Sequence, residues 1–175
     1  MEIKLTHRQI QWAKADTYFG PEFKKENAAT PQDSELRTFL GYCGEIAVLS
    51  AFCGSLVDES IEHRGDWVSQ TNKLYEIKTQ NKRNRKYPLL SFDLNDDQYQ
   101  SVFKKHNANG GILCSVDCSS IEEFENNPIV TIEFWAEQDA IATAVPRNKS
   151  NSRHNITKSV YADDEDRVRT DFNNL

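Results

Sequence analysis

Seven residues, Leu74-Tyr75-Glu76-Ile77-Lys78-Thr79-Gln80, alternate with a period of two and mark a β-strand. Successive side chains on a strand point to opposite faces, so Tyr75, Ile77 and Thr79 line one face and can enter a core. Leu74, Glu76, Lys78 and Gln80 line the other, with Glu76 and Lys78 roughly 6.6 Å apart along the backbone. Val68 to Gln70 read as a preceding strand, joined through the polar turn Thr71-Asn72-Lys73, and Asp66 stands at the mouth of this hairpin. Two carboxylates and an amine on one sheet face make a hard, oxygen-rich set. Such a set suits a divalent cation and the cutting of phosphodiesters.

The Glu-x-Lys tripeptide alone carries little weight. Glu2-Ile3-Lys4 and Glu22-Phe23-Lys24 are present too, and neither follows an Asp on an earlier strand. An exposed pair of this kind is otherwise a surface ion pair worth about 0.2–1 kcal/mol. Context singles out the Glu76 copy.

Thr30-Pro31-Gln32-Asp33 opens a helix with an N-cap, a first-turn proline and an early acid; it should run to Cys53 and stop at Gly54. Leu36, Phe39, Leu40, Cys43, Ile46 and Ala47 form its apolar stripe. Glu45 falls away from that stripe, either exposed on an outer face or as an acid that needs a partner where the helix becomes apolar all round. Gly41 and Gly44 suggest that another backbone comes close there. Upstream, Thr6 and Gln9 form a capping box that starts a helix reaching about Asp16. Downstream, strands are expected at Leu56-Val57, Gly65 to Val68 and Leu74 to Gln80, and Leu89 to Phe92 looks extended. A helix from Asn95 to Lys105 should end at Asn109-Gly110-Gly111, before strands at Ile112 to Val116 and Ile129 to Trp135. The order is that of a mixed α/β domain around one sheet over residues 1–145. Residues 146–175, with Arg147, Lys149, Arg153, His154 and Lys158 against acids from Asp163 to Asp166, read as a loosely packed polar arm.

The net charge is −6, yet the stretch from Lys73 to Lys86 carries six basic residues and one acid, leaving −11 on the rest. Lys73, Lys82, Arg83, Arg85 and Lys86 are therefore expected to contact phosphates of a nucleic acid beside the candidate site. Cys43, Cys53, Cys114 and Cys118 offer one C-x3-C pair and no second close pair, so buried thiols are expected rather than zinc. His7, His63, His106 and His154 are scattered, with His63 read as a loop residue near Asp66, and neither a phosphate loop nor Gly-x-Ser-x-Gly occurs. No apolar run reaches the length of a membrane span and the first residues lack a secretory layout, so a soluble cytoplasmic protein with no membrane partner is expected.

In this order, the helix with Glu45, the strand entered at Asp66, the Glu76-Ile77-Lys78 strand, a helix and a further strand resemble the PD-(D/E)XK nucleases. The resemblance covers about Pro31 to Val116. The family's leading Pro-Asp is absent, because Asp66 follows Gly65. The resemblance implies a restriction-endonuclease-like α/β core, with a mixed central sheet flanked by helices in the order helix, three strands, helix, strand. It implies Mg²⁺ or Mn²⁺ held by Asp66, Glu76 and the Ile77 carbonyl, with Glu45 joining the metal shell through water. Lys78 would activate the attacking water and steady phosphate charge. Gln80 would touch the phosphate, and Gln98 would be an inward polar residue. DNA is the expected substrate, and a homodimer would suit double-strand cleavage. The alternative is a nuclease-fold module that binds nucleic acid or a protein and does not cut.

Overall fold

The computed structural model describes residues 1–19, 31–57, 65–83, 87–93, 100–144, 147–148, 156–173 and 175. The chain begins with β1 (Glu2–Lys4) and α1 (His7–Phe19). The expected capping box forms at the start of α1: the Thr6 amide donates to Gln9 Oε1 at 2.8 Å and the Gln9 amide to Thr6 Oγ1 at 3.4 Å. Next comes α2 (Pro31–Phe52), bounded as expected by Pro31 and, beyond it, by Cys53 and Gly54 in left-handed conformations (φ 59° and 94°). The strands β2 (Ser55–Leu56), β3 (Trp67–Val68) and β4 (Leu74–Asn81) follow.

After β5 (Leu89–Asp93), a short π-type helical segment spans Gln100–Lys105, and β6 (Gly110–Val116), α3 (Ile121–Asn126), β7 (Ile129–Glu137) and α4 (Gln138–Ala142) complete the middle of the chain. The start of the helix expected at Asn95 lies outside the described residues. The capping signal of α3 was present in Ser120-Ile121-Glu122-Glu123: the Glu123 amide donates to Ser120 Oγ at 3.1 Å.

The architecture is mixed α/β. A six-stranded sheet runs in the order β1-β7-β6-β4-β3-β2, parallel between β4 and β6 and antiparallel elsewhere. Helix α2 packs on the face that carries Tyr75 and Ile77, where Phe39, Cys43, Ile46, Ala47, Ile112, Cys114 and Ile132 share one core. Gly44 makes this crossing possible, since a Cβ there would stand 2.0 Å from Thr79 Oγ1. Gly41 has nothing within 4 Å of such a Cβ, so the close approach expected from both glycines belongs to Gly44 alone.

The polar-arm expectation is corrected for the residues described. β8 (Arg147–Asn148) and β9 (Ile156–Tyr161) join β5 in a second sheet, ordered β5-β9-β8. Val160 and Val168 are buried beside Leu90, Phe92, Leu113 and Phe134, against the other face of the large sheet. Further on, Arg169 bridges Trp135, and Phe172 stacks on Phe52 with centroids 5.5 Å apart. Polar composition hid this packing, because β9 buries few side chains and pairs with a strand far away in sequence. Among the described residues, no helix is long and apolar enough to cross a membrane.

Candidate active site

The antiparallel register sets Trp67 against Tyr75, and Asp66 stands just before that pair, at the edge of β4. The Asp66 amide donates to the Tyr75 carbonyl at 2.9 Å, extending the ladder past β3. Asp66 Oδ2 then accepts from the Ile77 amide at 2.5 Å. The carboxylate takes a main-chain donor just where the ladder with β3 gives out. Asp66 is buried.

Glu76 is 1% exposed, and its Oε1 accepts from Lys78 Nζ at 2.6 Å. The strand period that places both on one face makes this contact, as the sequence implied. The lysine amine also lies 5.8 Å from the ring centroid of Phe92, on β5. Glu76 sits beside Gly111 in the parallel register. A Cβ at Gly111 would be 3.0 Å from Leu90 and 3.1 Å from Phe92, so this glycine lets β5 close down over the acid's face. Sequence reasoning missed Phe92 and read Gly111 only as part of a helix stop. The missed signal was a glycine inside a strand beside a buried acid.

The structure thus joins Glu76 to Lys78 directly and sets the Asp66 carboxylate on the Ile77 amide between them. An extended residue points its amide and carbonyl to the same side, which directs the Ile77 carbonyl toward the Asp66 side of β4. Glu45 lies on α2, next to Gly44 where the helix crosses Thr79 and Cys114, on the opposite face of β4 from Glu76. That crossing is one residue beyond Lys78. Gln80 is committed to main chain: its Nε2 donates to the Tyr87 carbonyl at 3.0 Å and its Oε1 accepts from the Leu89 amide at 3.1 Å. It fastens the turn into β5, which is a structural use of the side chain expected to touch a phosphate.

The basic run does not form one patch. Lys73 precedes β4 and Lys82 follows it, so the two stand about 30 Å apart along an extended chain. Lys82 Nζ pairs with Glu133 Oε1 at 3.0 Å, and Glu133 also accepts from Ser115 Oγ. Arg83 pairs with Asp117 at 2.8 Å and Glu123 at 2.5 Å. Hydrogen bonds from the Ser119 hydroxyl and amide, followed by the Arg83 charge, hold the Glu123 carboxyl below its usual range. Arg85, Lys86, Gln98 and His63 lie outside the described residues.

Two buried carboxylates near one amine offer oxygen donors of the hardness that Mg²⁺ and Mn²⁺ prefer. Among the described residues, no three Asp, Glu, His or Cys side chains gather closely enough to share one ion. Two carboxylates and a main-chain oxygen still match the way Mg²⁺ is usually held, with substrate phosphate and water completing its shell. The donor set fits such an ion. No protein-family model matches the chain, and no curated protein matches it in sequence.

Proposed function

We propose that this protein is a divalent-metal-dependent nuclease with a restriction-endonuclease-like core, hydrolysing phosphodiester bonds in DNA. One observation carries the reading: buried Asp66 accepts from the Ile77 amide, between Glu76 and Lys78, and the Glu76 carboxylate holds the Lys78 amine at 2.6 Å. Asp66, Glu76 and the Ile77 carbonyl would hold Mg²⁺ or Mn²⁺, which when bound supplies Lewis acidity and a more acidic water. Lys78, 29% exposed at its side chain, is the member of the set that meets solvent and an incoming phosphate. Its ammonium donates to a phosphoryl oxygen as negative charge builds there, a contribution largest in a dry surround. Glu76 holds that amine in place. Glu45, on the other face of β4, has no part in this set.

Lys82 and Arg83 serve the same reading. Both cations reach solvent, so exchanging a carboxylate for a DNA phosphate is inexpensive. A homodimer would suit cleavage of both strands. The test is incubation of plasmid and linear DNA with purified protein in Mg²⁺ or Mn²⁺, beside Lys78→Ala and Asp66→Ala. Cleavage by the parent and its loss in both variants supports the proposal. Equal cleavage by all three, or none on any DNA, sinks it.

The depth of Glu76 favours a second reading, a module on the same core that binds nucleic acid or a protein without cutting. Calorimetric titration with Mn²⁺ separates the two. Stoichiometric binding that disappears in Glu76→Ala belongs to the enzyme.

A further inference from the structure

At the end of the large sheet where β4 and β6 begin, a cleft of 240 Å³ is lined by Lys73, Tyr75, Asn109, Glu137, Gln138 and Asp139. The register explains it. Tyr75 pairs with Gly110 and Gly110 with Glu137, so the residue between the tyrosine and the acid has no side chain. Tyr75 is 1% exposed, its ring packed edge-on to Trp135 with centroids 6.2 Å apart. The ring is buried while its hydroxyl lines the cleft, where it can donate. Burial first, and Glu137 second, raise the phenol above its usual range and keep it a donor.

The polar groups divide by sign. Asn109 Oδ1 is taken by the Leu74 amide at 2.9 Å, which leaves its NH₂ to donate beside Tyr75 and the Lys73 ammonium. Gln138 Nε2 is taken by the Phe103 carbonyl at 3.1 Å, which leaves its carbonyl to accept beside Glu137 and Asp139. Donors therefore gather at the starts of β4 and β6, and acceptors gather at the end of β7 and the first turn of α4. A bare anion would face two carboxylates here and a bare cation would face an ammonium. A small dipolar ion meets complementary groups at both ends.

We infer that this cleft binds the zwitterion of a small α-amino acid, its carboxylate on the Lys73, Tyr75 and Asn109 side and its ammonium on the Glu137 and Asp139 side. The site is separate from the proposed nuclease chemistry, since Tyr75 projects to the face of β4 opposite Glu76 and Lys78. The experiment is a ¹H–¹⁵N titration of the whole protein with each free L-amino acid, up to a concentration on the order of 10 mM. One of them should give saturable shifts at Lys73 to Tyr75, Asn109 and Glu137 to Asp139. Its N-acetyl and amide derivatives, which each lack one charge, should bind at least about tenfold more weakly. Tyr75→Phe and Asp139→Asn should each weaken binding by at least about tenfold, the exposed Asp139 variant guarding against misfolding. The inference is overturned if no amino acid saturates the site. It is equally overturned if the derivatives bind like the parent compound, or if Asp139→Asn binds as the native chain does.

Discussion

The two faces of β4 are built from alternate residues of one strand, yet they solve opposite problems. Toward α2, Tyr75, Ile77 and Thr79 meet Phe39, Cys43, Ile46 and Cys114, and packing is tight enough that Gly44 has no room for a methyl group. Toward β5, Lys78 stands by the Phe92 ring, Glu76 takes the Lys78 amine, and Gln80 bonds the Tyr87 carbonyl and the Leu89 amide, so polar groups are partnered inside a covered layer. On the first face shape decides, and on the second satisfied charge decides. The difference teaches that burial alone does not identify a core position: Glu76 is as deep as Tyr75, both at 1% exposure.

The largest expected effect lies on the polar face. Lys78→Ala should lower DNA cleavage by about 10²–10³-fold, the usual loss when one preorganised electrostatic donor is removed. Initial rates on supercoiled plasmid at saturating Mn²⁺ measure it, and a variant within threefold of the parent would break the contrast between the faces. Next in size is thiol reactivity on the helix face. Burial, then the neighbouring Cys118 and Glu45, raises the Cys43 thiol, and burial, then Glu133 and Glu45, raises that of Cys114. Exposed Cys53 should therefore react with a disulfide reagent at pH 8 about a hundredfold faster than either. Mass mapping of the labelled cysteines reports the ratio.

Gly44→Ala should destabilise the fold by about 1–3 kcal/mol, lowering the melting temperature by roughly 2–4 °C for each kcal/mol. Thr79→Ala removes the atom a Cβ would strike, so much of that loss should return in the double variant. A neutral Gly44→Ala would show that the helix face is looser than drawn. Gln80→Leu should destabilise by about 1–3 kcal/mol in urea unfolding, because the Leu89 amide and the Tyr87 carbonyl lose their partner together. The smallest change belongs to Thr79→Val. The Thr79 hydroxyl is buried with no hydrogen-bond partner among the described residues, so its replacement by a methyl should be neutral or stabilising by up to about 1 kcal/mol. The two neighbours on β4 should therefore respond to an apolar substitution with opposite signs.

Local chemistry made much of the scaffold legible. The Thr6–Gln9 box, the Pro31 start and Gly54 stop of α2, and the period-two alternation of β4 each act within a few residues, and each appears in the fold. Glu76 meeting Lys78 follows from the strand period alone. What stayed hidden depends on distance along the chain. The polar segment Ile156–Tyr161 becomes β9 only because β5 is there to pair with it, Ser91 meeting Ser159 across 68 residues. The same holds for Lys82 and Arg83, whose partners Glu133, Asp117 and Glu123 come from β7, the end of β6 and α3. A basic run in sequence says nothing about which acids the fold brings back to it.

The glycine beside Glu76 has a temporal consequence. The layer that seals the acid's face rests on β5, and β5 is held by a strand 68 residues further on, whereas the turn joining β3 to β4 closes over only a few residues. Long-range pairing is the slow part of folding. A refolding chain would therefore form its hairpin first and leave Glu76 hydrated until the distant strand arrives, so this carboxylate would become dry only in the final stage of assembly.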